Sequence, residues 1–197
     1  MKKVLCCLTM FLLAGCLATG PEKTLDTLAS ALTQKDSTLF LAQFDMPRFT
    51  AAQVQNITQE NPALRTLDSV SKLFGLGAMG DVLGSLVDTQ GNITAEFTRG
   101  VSTGELALAC GESPSPLCPW VPSALRAAKV KELNPKAAVA RITTPTNIAT
   151  WLSLSKVNDT WLIVGQAILE EQAVHYALNT PKSQPQSPAT PEKSTPL

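Results

Sequence analysis

Residues 149–168 read ATWLSLSKVNDTWLIVGQAI and contain the clearest structural signal in the chain. Both halves of this stretch, residues 149–157 and 160–168, are short, apolar and enriched in β-branched or aromatic side chains, as β-strands are. Asn158 and Asp159, which separate them, favour a tight turn. So short a connection makes the two strands antiparallel, because a parallel return needs a dozen or more residues. The stretch therefore predicts a β-hairpin.

Two segments of the same kind precede this hairpin, at residues 127–133 and 137–143. Turn-forming residues follow each of them, Asn134-Pro135 after the first and Pro-Thr-Asn at 145–147 after the second. Together the four segments predict an antiparallel β-meander. Residues 170–178 then predict a short closing helix.

The first half of the chain has the spacing of amphipathic helices. The first predicted helix carries one apolar stripe. Further helices are predicted after the N-cap residue Asp36, from Pro47, over residues 61–74 and within 93–109. Residues 75–91 contain five glycines among apolar side chains, which predicts a marginal helix or a mobile apolar segment. The predicted fold class is α+β, with N-terminal helices packed on a C-terminal antiparallel meander. The stripe consists of Leu25, Leu28, Ala29 and Leu32.

The N-terminus has the features of a secretory signal. Lys2 and Lys3 precede an apolar stretch at 4–14, which is shorter than the roughly 18 residues needed to span a bilayer. The stretch ends in Leu13-Ala14-Gly15-Cys16, which resembles the bacterial lipobox. That resemblance implies removal of residues 1–15 and acylation of Cys16, which would anchor the protein in a lipid bilayer. The alternative is an ordinary secreted protein that is cut nearby.

The lipobox resemblance also implies a location in the bacterial cell envelope, facing the periplasm. Leu17 follows the cysteine, and by similarity to enterobacterial sorting the absence of aspartate there implies the outer membrane. Cys6 and Cys7 would leave with the signal, so Cys110 and Cys118 remain as thiols in an oxidising compartment, where we expect them to form a disulfide. Metal binding is the competing interpretation, but seven intervening residues do not match zinc spacing.

Composition sets the class of protein. The chain has 197 residues with 16 basic and 16 acidic side chains, a neutral total that argues against nucleic-acid binding. Loss of Lys2 and Lys3 would leave the mature protein near −2. After a tether at 16–21, residues 22–179 fit one domain. Residues 180–197 contain five prolines and predict a disordered tail.

The helices followed by a meander that ends in residues 154–163, LSKVNDTWLI, are similar to two groups of proteins. The first comprises small proteobacterial lipoproteins of unknown function. The second is the nuclear transport factor two-like, cystatin-related group of cone-shaped α+β proteins. That second resemblance implies a helix packed in the concave side of a curved sheet, with a pocket that holds an apolar ligand or performs enzymatic chemistry.

Several sequence patterns bear on catalysis or cofactor binding. The glycine pattern GLGAMG at 75–80 matches the dinucleotide fingerprint, but a predicted helix precedes it where a strand is required, so we expect no nucleotide cofactor.

His175 is the one histidine of the chain, which excludes a multi-histidine metal site. A carboxylate could act as a general acid or base, although capping and surface roles are the alternative. The candidates are Asp45, Asp68, Asp81 and Glu96.

Trp151 and Trp161 are candidate ligand-binding residues, because aromatic side chains line many pockets, with core packing as the alternative. The sequence thus predicts a lipid-anchored envelope protein that is a non-enzymatic binding or assembly module. Its partner would be an envelope protein or an amphipathic or apolar small molecule, and no metal is expected. The alternative is a small hydrolase or isomerase that uses a carboxylate in a cone-shaped fold.

Overall fold

The computed structural model describes residues 20–60, 89–113, 115–144 and 147–179. Cys16, the predicted signal peptide, the glycine pattern at 75–80 and the tail at 180–197 lie outside these ranges. The helices are α1 (Pro21–Gln34), α2 (Ser37–Leu41), α3 (Met46–Glu60), α4 (Thr89–Thr103), α5 (Glu105–Glu112), α6 (Pro122–Arg126) and α7 (Glu170–Leu178). The strands are β1 (Lys129–Asn134), β2 (Ala137–Thr143), β3 (Ala149–Val157) and β4 (Thr160–Ala167).

The strands form one antiparallel sheet in the order β1-β2-β3-β4, which confirms the predicted meander and the α+β class. Strands β2 and β3 and helix α7 have the predicted bounds. Strand β1 begins two residues later than predicted, after α6 and a short connection. Asn158 and Asp159 both have positive φ, 47° and 63°, as a two-residue hairpin turn between twisted strands requires.

The amphipathic stripe of α1 is buried as its spacing predicts. Asp36 caps α2, since its Oδ1 accepts a hydrogen bond from the Leu39 amide at 2.8 Å. The helix predicted within 93–109 is two helices, α4 and α5. They meet at Gly104, whose φ of 86° lies in the left-handed region that favours glycine. The helix predicted over residues 61–74 lies outside the described residues.

One face of the sheet, here called the inner face, forms one apolar cluster with helices α1 to α6. Large apolar side chains of β2, β3 and β4 cover it, among them Ile142, Leu152, Leu154 and Ile163. Among the described residues of the layer between sheet and helices, five aromatic rings have centroids that lie between 5.1 and 6.0 Å from those of their neighbours. The rings belong to Phe40, Phe44, Phe49, Phe97 and Trp120.

The opposite face, here called the outer face, packs on α7 through small side chains such as Ala137, Ser153 and Ala167. Ser153 Oγ donates a hydrogen bond to the carbonyl of Ala173 at 2.8 Å. Gly165 allows the closest approach, because a Cβ at this position would lie 3.0 Å from Tyr176. The close contact between α7 and the sheet thus depends on side-chain size.

The two edges of the sheet differ. The edge of β4 is closed, because the Asp45 amide donates to the Ile163 carbonyl at 3.0 Å and the Ile163 amide donates to the Gln43 carbonyl at 2.8 Å. The edge strand β1 carries exposed charged side chains, including Lys129 and Lys131, which discourage pairing with another strand. Lys131 also forms an ion pair with Glu170 of α7 at 2.8 Å.

Cys110 at the end of α5 and Cys118 before α6 lie at disulfide-bonding distance, with 5.1 Å between their Cα atoms. The Thr150 hydroxyl donates a hydrogen bond to the Pro116 carbonyl, which ties the intervening loop to β3. Over the described residues, no helix has the length and apolar character needed to cross a bilayer.

Candidate functional site

A cleft of about 510 Å³ lies at the end of the outer face, beside the C-terminal end of α7. Ala137, Ser155 and Val157 line it from the sheet, and Ala177 and Leu178 line it from the helix. Its volume falls within the roughly 300–1,000 Å³ typical of sites for small molecules. The cleft is therefore large enough to take a ligand.

The position of the cleft follows from where α7 ends. Ser153 lies under the helix and is fully buried, bonded to the Ala173 carbonyl. Ser155 is two residues further along the same face of β3, and it is half-buried and lines the cleft. The helix stops at Leu178, so the last part of the outer face has no helix of the described residues packed fully over it.

Three basic residues line the cleft together with a single acidic one. Lys156 pairs with Trp161 of the inner face, so its side chain leaves β3 on the side opposite Ser155. Arg48 comes from the first turn of α3, Lys136 from the turn between β1 and β2, and Lys156 from the end of β3. Asp45, just before α3, is the acidic one. The fold thus gathers positive charge from three separate elements at one end of the sheet.

Arg48 is held at the C-terminal end of α7. Its Nη2 donates to the carbonyls of Tyr176 and Asn179, at 3.4 Å each, which is long for a hydrogen bond to a charged group. Its Nε is buried and has no acceptor among the described residues. Burial lowers the pKa of the guanidinium, while the Asp45 carboxylate acts in the opposite direction. Arginine nevertheless remains charged at physiological pH.

The acidic groups near the cleft already have structural partners. Asp45 Oδ1 accepts a hydrogen bond from the Arg48 amide at 3.3 Å, and the Asp45 carbonyl accepts one from the Phe49 amide at 2.8 Å, so this residue caps α3. Lys156 forms an ion pair at 3.2 Å with Asp159, whose side chain is 97 % exposed. Such an exposed pair contributes at most about 1 kcal/mol.

A second cavity of about 180 Å³ lies between α3, β4 and α7 and is lined by Val164, His175 and Tyr176, among others. It is below the usual volume of a ligand site. His175 itself is exposed, and its ring centroid lies 5.8 Å from that of Tyr176. This cavity is the weaker candidate.

Two buried glutamines are unusual features of the region where α3 meets β4. Gln53 and Gln166 are each 1 % exposed, and neither amide group has a hydrogen-bond partner among the described residues. Nearby, Asn56 Nδ2 donates to the Gln166 carbonyl at 2.7 Å, and Asn56 Oδ1 accepts from the Tyr176 hydroxyl at 2.5 Å. The backbone and Asn56 are satisfied there, whereas the two glutamine side chains are not.

The residues proposed from sequence lie apart from one another. Trp161 is buried on the inner face, and Trp151 is half-buried against the cluster on the outer face. Neither tryptophan lines the cleft or the smaller cavity. Of the candidate carboxylates, Asp45 lines the cleft and Glu96 pairs with Arg99 at 2.9 Å, while the other two lie outside the described residues. Within the described ranges, no group of three metal-ligating side chains is brought together.

Sequence reasoning did not select Arg48, Lys136 or Lys156. Each is a single charged residue in an ordinary local context, and it is the pairing of β2 with β3 that places the two hairpin turns side by side at one end of the sheet. The available signal was a lysine at the end of each of two neighbouring hairpins. That signal has meaning only once the order of the strands is known.

Comparison with protein-family models, with curated proteins and with solved structures gives no match for this chain. The resemblances to lipoproteins and to cone-shaped α+β proteins therefore stay expectations from the sequence. Function has to be inferred from the cleft and from the N-terminal motif.

Proposed function

We propose that this protein is a lipid-anchored envelope protein that acts as a non-enzymatic binding module, with the cleft at the end of the outer face as its binding site. Acylated Cys16 would hold the domain at a bilayer, on the periplasmic side and in the outer membrane. The domain itself would bind a small molecule. The proposal rests mainly on one observation, the cleft of about 510 Å³ lined by Arg48, Lys136 and Lys156.

The inner face supports a binding role at the cleft rather than in the core. Resemblance to cone-shaped proteins implies a pocket between helices and sheet, but in the described part of that layer the space is occupied by packed rings, with Phe40 and Trp120 fully buried. Among the described residues the outer face has less cover, because α7, the nine-residue helix that lies on it together with Ala52 of α3, stops before the sheet does. A ligand can therefore reach the outer face without unpacking the core.

The residues around the cleft favour binding over catalysis. Asp45 is the acidic side chain that lines it, and this carboxylate is engaged in capping α3. A general acid or base needs a proton-transfer position facing the substrate. His175, the single imidazole of the chain, lines the smaller cavity and is absent from the cleft lining. We therefore do not propose the hydrolase or isomerase alternative.

The anchor is tested by the substitution Cys16→Ser. Serine has no thiol to acylate, so processing should stop and the protein should leave the detergent-dependent membrane fraction. Cys7→Ser, within the predicted signal peptide, is the matched control and should leave processing unchanged. If the Cys16→Ser protein stays in the membrane fraction with the same mobility as the native protein, the lipoprotein assignment is wrong.

The binding site is tested by filling the cleft. Ser155→Trp places a large ring among the lining residues, and Ser102→Trp places the same ring on the exposed surface of α4. Protein purified from the envelope in mild detergent is examined by native mass spectrometry. We expect a small-molecule mass on the native protein and on Ser102→Trp that is absent from Ser155→Trp. Equal occupancy of both variants would show that the cleft is not the site.

A further inference from the structure

We infer that the cleft selects an amphipathic anion: a small molecule with a carboxylate or phosphate group next to a short apolar portion. This inference rests on the proposed binding role of the cleft and specifies the ligand. Three basic residues line the cleft, from α3, from the β1–β2 turn and from the end of β3, together with the acidic residue Asp45. An oxyanion is the chemical group that this arrangement favours.

Part of the positive charge at the cleft is available to a ligand. The Arg48 Nε has no acceptor among the described residues, and the two contacts of Nη2 are long, at 3.4 Å. The Nε itself is buried out of reach of a ligand, so an oxyanion in the cleft would interact with the guanidinium through its positive charge. Lys136 is exposed at the rim, and its side chain forms no ion pair within the described ranges.

The competing acids do not cancel this charge. Lys156 contacts Asp159, but the Asp159 side chain is almost fully exposed, and water and salt weaken such a pair. Asp45 is held by the amide at the start of α3, and it offsets one of the three cations. The remaining excess is positive, whereas the full chain is neutral. Positive charge at the cleft is therefore a local property of the fold.

The remaining lining specifies an apolar portion next to the anion. Val157, Ala177 and Leu178 line the same cleft, and the Leu178 side chain is 52 % exposed although it is apolar. A bare phosphate would leave these side chains in water and most of the 510 Å³ unfilled. A short alkyl group joined to the anion would cover them and remove their apolar surface from water, which favours binding.

The test uses the full chain reconstituted in nanodiscs of phosphatidylcholine, with empty nanodiscs as the blank. Isothermal titration calorimetry is run with hexyl phosphate, hexanoate, hexyltrimethylammonium and inorganic phosphate, which are water-soluble probes. We expect binding of the first two, little binding of inorganic phosphate and none of the cation. Nanodiscs that contain phosphatidylglycerol distinguish the source of the anion: loss of the hexyl phosphate signal there would assign the site to a lipid headgroup, and an unchanged signal to a free molecule.

The double variant Lys136→Glu, Lys156→Glu tests the charge directly. Its matched control is Lys23→Glu, Lys129→Glu, which changes the net charge equally at two exposed positions outside the cleft. We expect the cleft variant to lose about tenfold or more in affinity for hexyl phosphate and the control to lose less than about twofold. Leu178→Ser should lower the affinity for hexyl phosphate while leaving the affinity for inorganic phosphate unchanged. Thermal melts establish that each variant is folded.

The outcomes separate the ligand class from the binding role. If the cleft variant and its control lose affinity equally, or if the cation binds as well as the anions, the anion inference is wrong, although a small molecule displaced by Ser155→Trp would still support the proposed function. If no probe binds and no mass is found on the envelope-purified protein, both fail. Binding of inorganic phosphate as tight as that of hexyl phosphate would overturn the apolar part of the inference.

Discussion

The two faces of the sheet are built on different principles. On the inner face, large side chains interlock with five aromatic rings, and on the outer face Gly165 and several alanines let one helix approach closely. On the inner face large side chains fill the space between sheet and helices. On the outer face small side chains allow α7 to pack close to the sheet. Where α7 ends, the small side chains of this face leave a depression on the surface. This difference explains why the cleft forms beyond Leu178 and is lined partly by alanine and serine.

The largest expected effect is on the inner face, from Phe40→Ala. Phe40 is fully buried, and its ring contacts Phe44, Phe97 and Trp120 at centroid distances of 5.1 to 5.6 Å. Removal of the ring leaves a cavity that rigid neighbours cannot close, so the free energy of unfolding should fall by about 3–5 kcal/mol in urea denaturation. Leu108→Ala on α5, where the side chain is 59 % exposed, is the control and should cost less than about 0.5 kcal/mol. A loss below about 1 kcal/mol for Phe40→Ala would mean that the inner face is not close-packed.

The second effect concerns Cys110 and Cys118, at the border of the inner face. Replacing both with serine should lower the free energy of unfolding by about 2–3 kcal/mol, because the unfolded chain loses a constraint on a short loop. The hydrogen bond from Thr150 to Pro116 should keep the loop against β3, so the fold should survive. Mass spectrometry of the unreduced, alkylated protein from the envelope should find no free thiol at these positions. Two alkylated cysteines there would refute the bond.

The third effect tests the outer face, through Gly165→Ala. The added methyl group would lie 3.0 Å from Tyr176 and 3.2 Å from Ala52, so α7 or α3 must shift. We expect a loss of about 1–3 kcal/mol in the free energy of unfolding, as in other overpacked sites. Gly111→Ala in α5 is a matched control, since no atom lies within 4 Å of the added Cβ, and it should be neutral or stabilising by up to about 1 kcal/mol. Equal effects of the two substitutions would show that the outer face is loosely packed.

Local patterns predicted the elements well, and they predicted the site poorly. The strands at Ala137–Thr143 and Ala149–Val157 follow from alternation and turn residues, which are properties of neighbouring positions. The break at Gly104 was not foreseen, because one glycine in a helical pattern is compatible with either a helix or a stop. The cleft was not foreseen either, since it depends on where α7 ends relative to two hairpin turns. That relation is tertiary and leaves no local pattern.

The smallest effect, with the opposite sign, is expected at Gln53. It follows Phe49 by one helical turn, so it lies on the face of α3 that packs toward the rings, and its buried amide has no partner among the described residues. Methionine has a similar length and no amide to desolvate, so Gln53→Met should leave the free energy of unfolding unchanged or raise it by about 1 kcal/mol. Gln34→Met at the exposed end of α1 is the control and should change it by less than about 0.5 kcal/mol. Gln166→Met should behave like Gln53→Met, because Gln166 lies opposite Leu152 on the inner face. A loss of more than about 1 kcal/mol in either variant would indicate instead that the amide forms a hydrogen bond with an internal water. This part of the inner face would then contain a buried polar site.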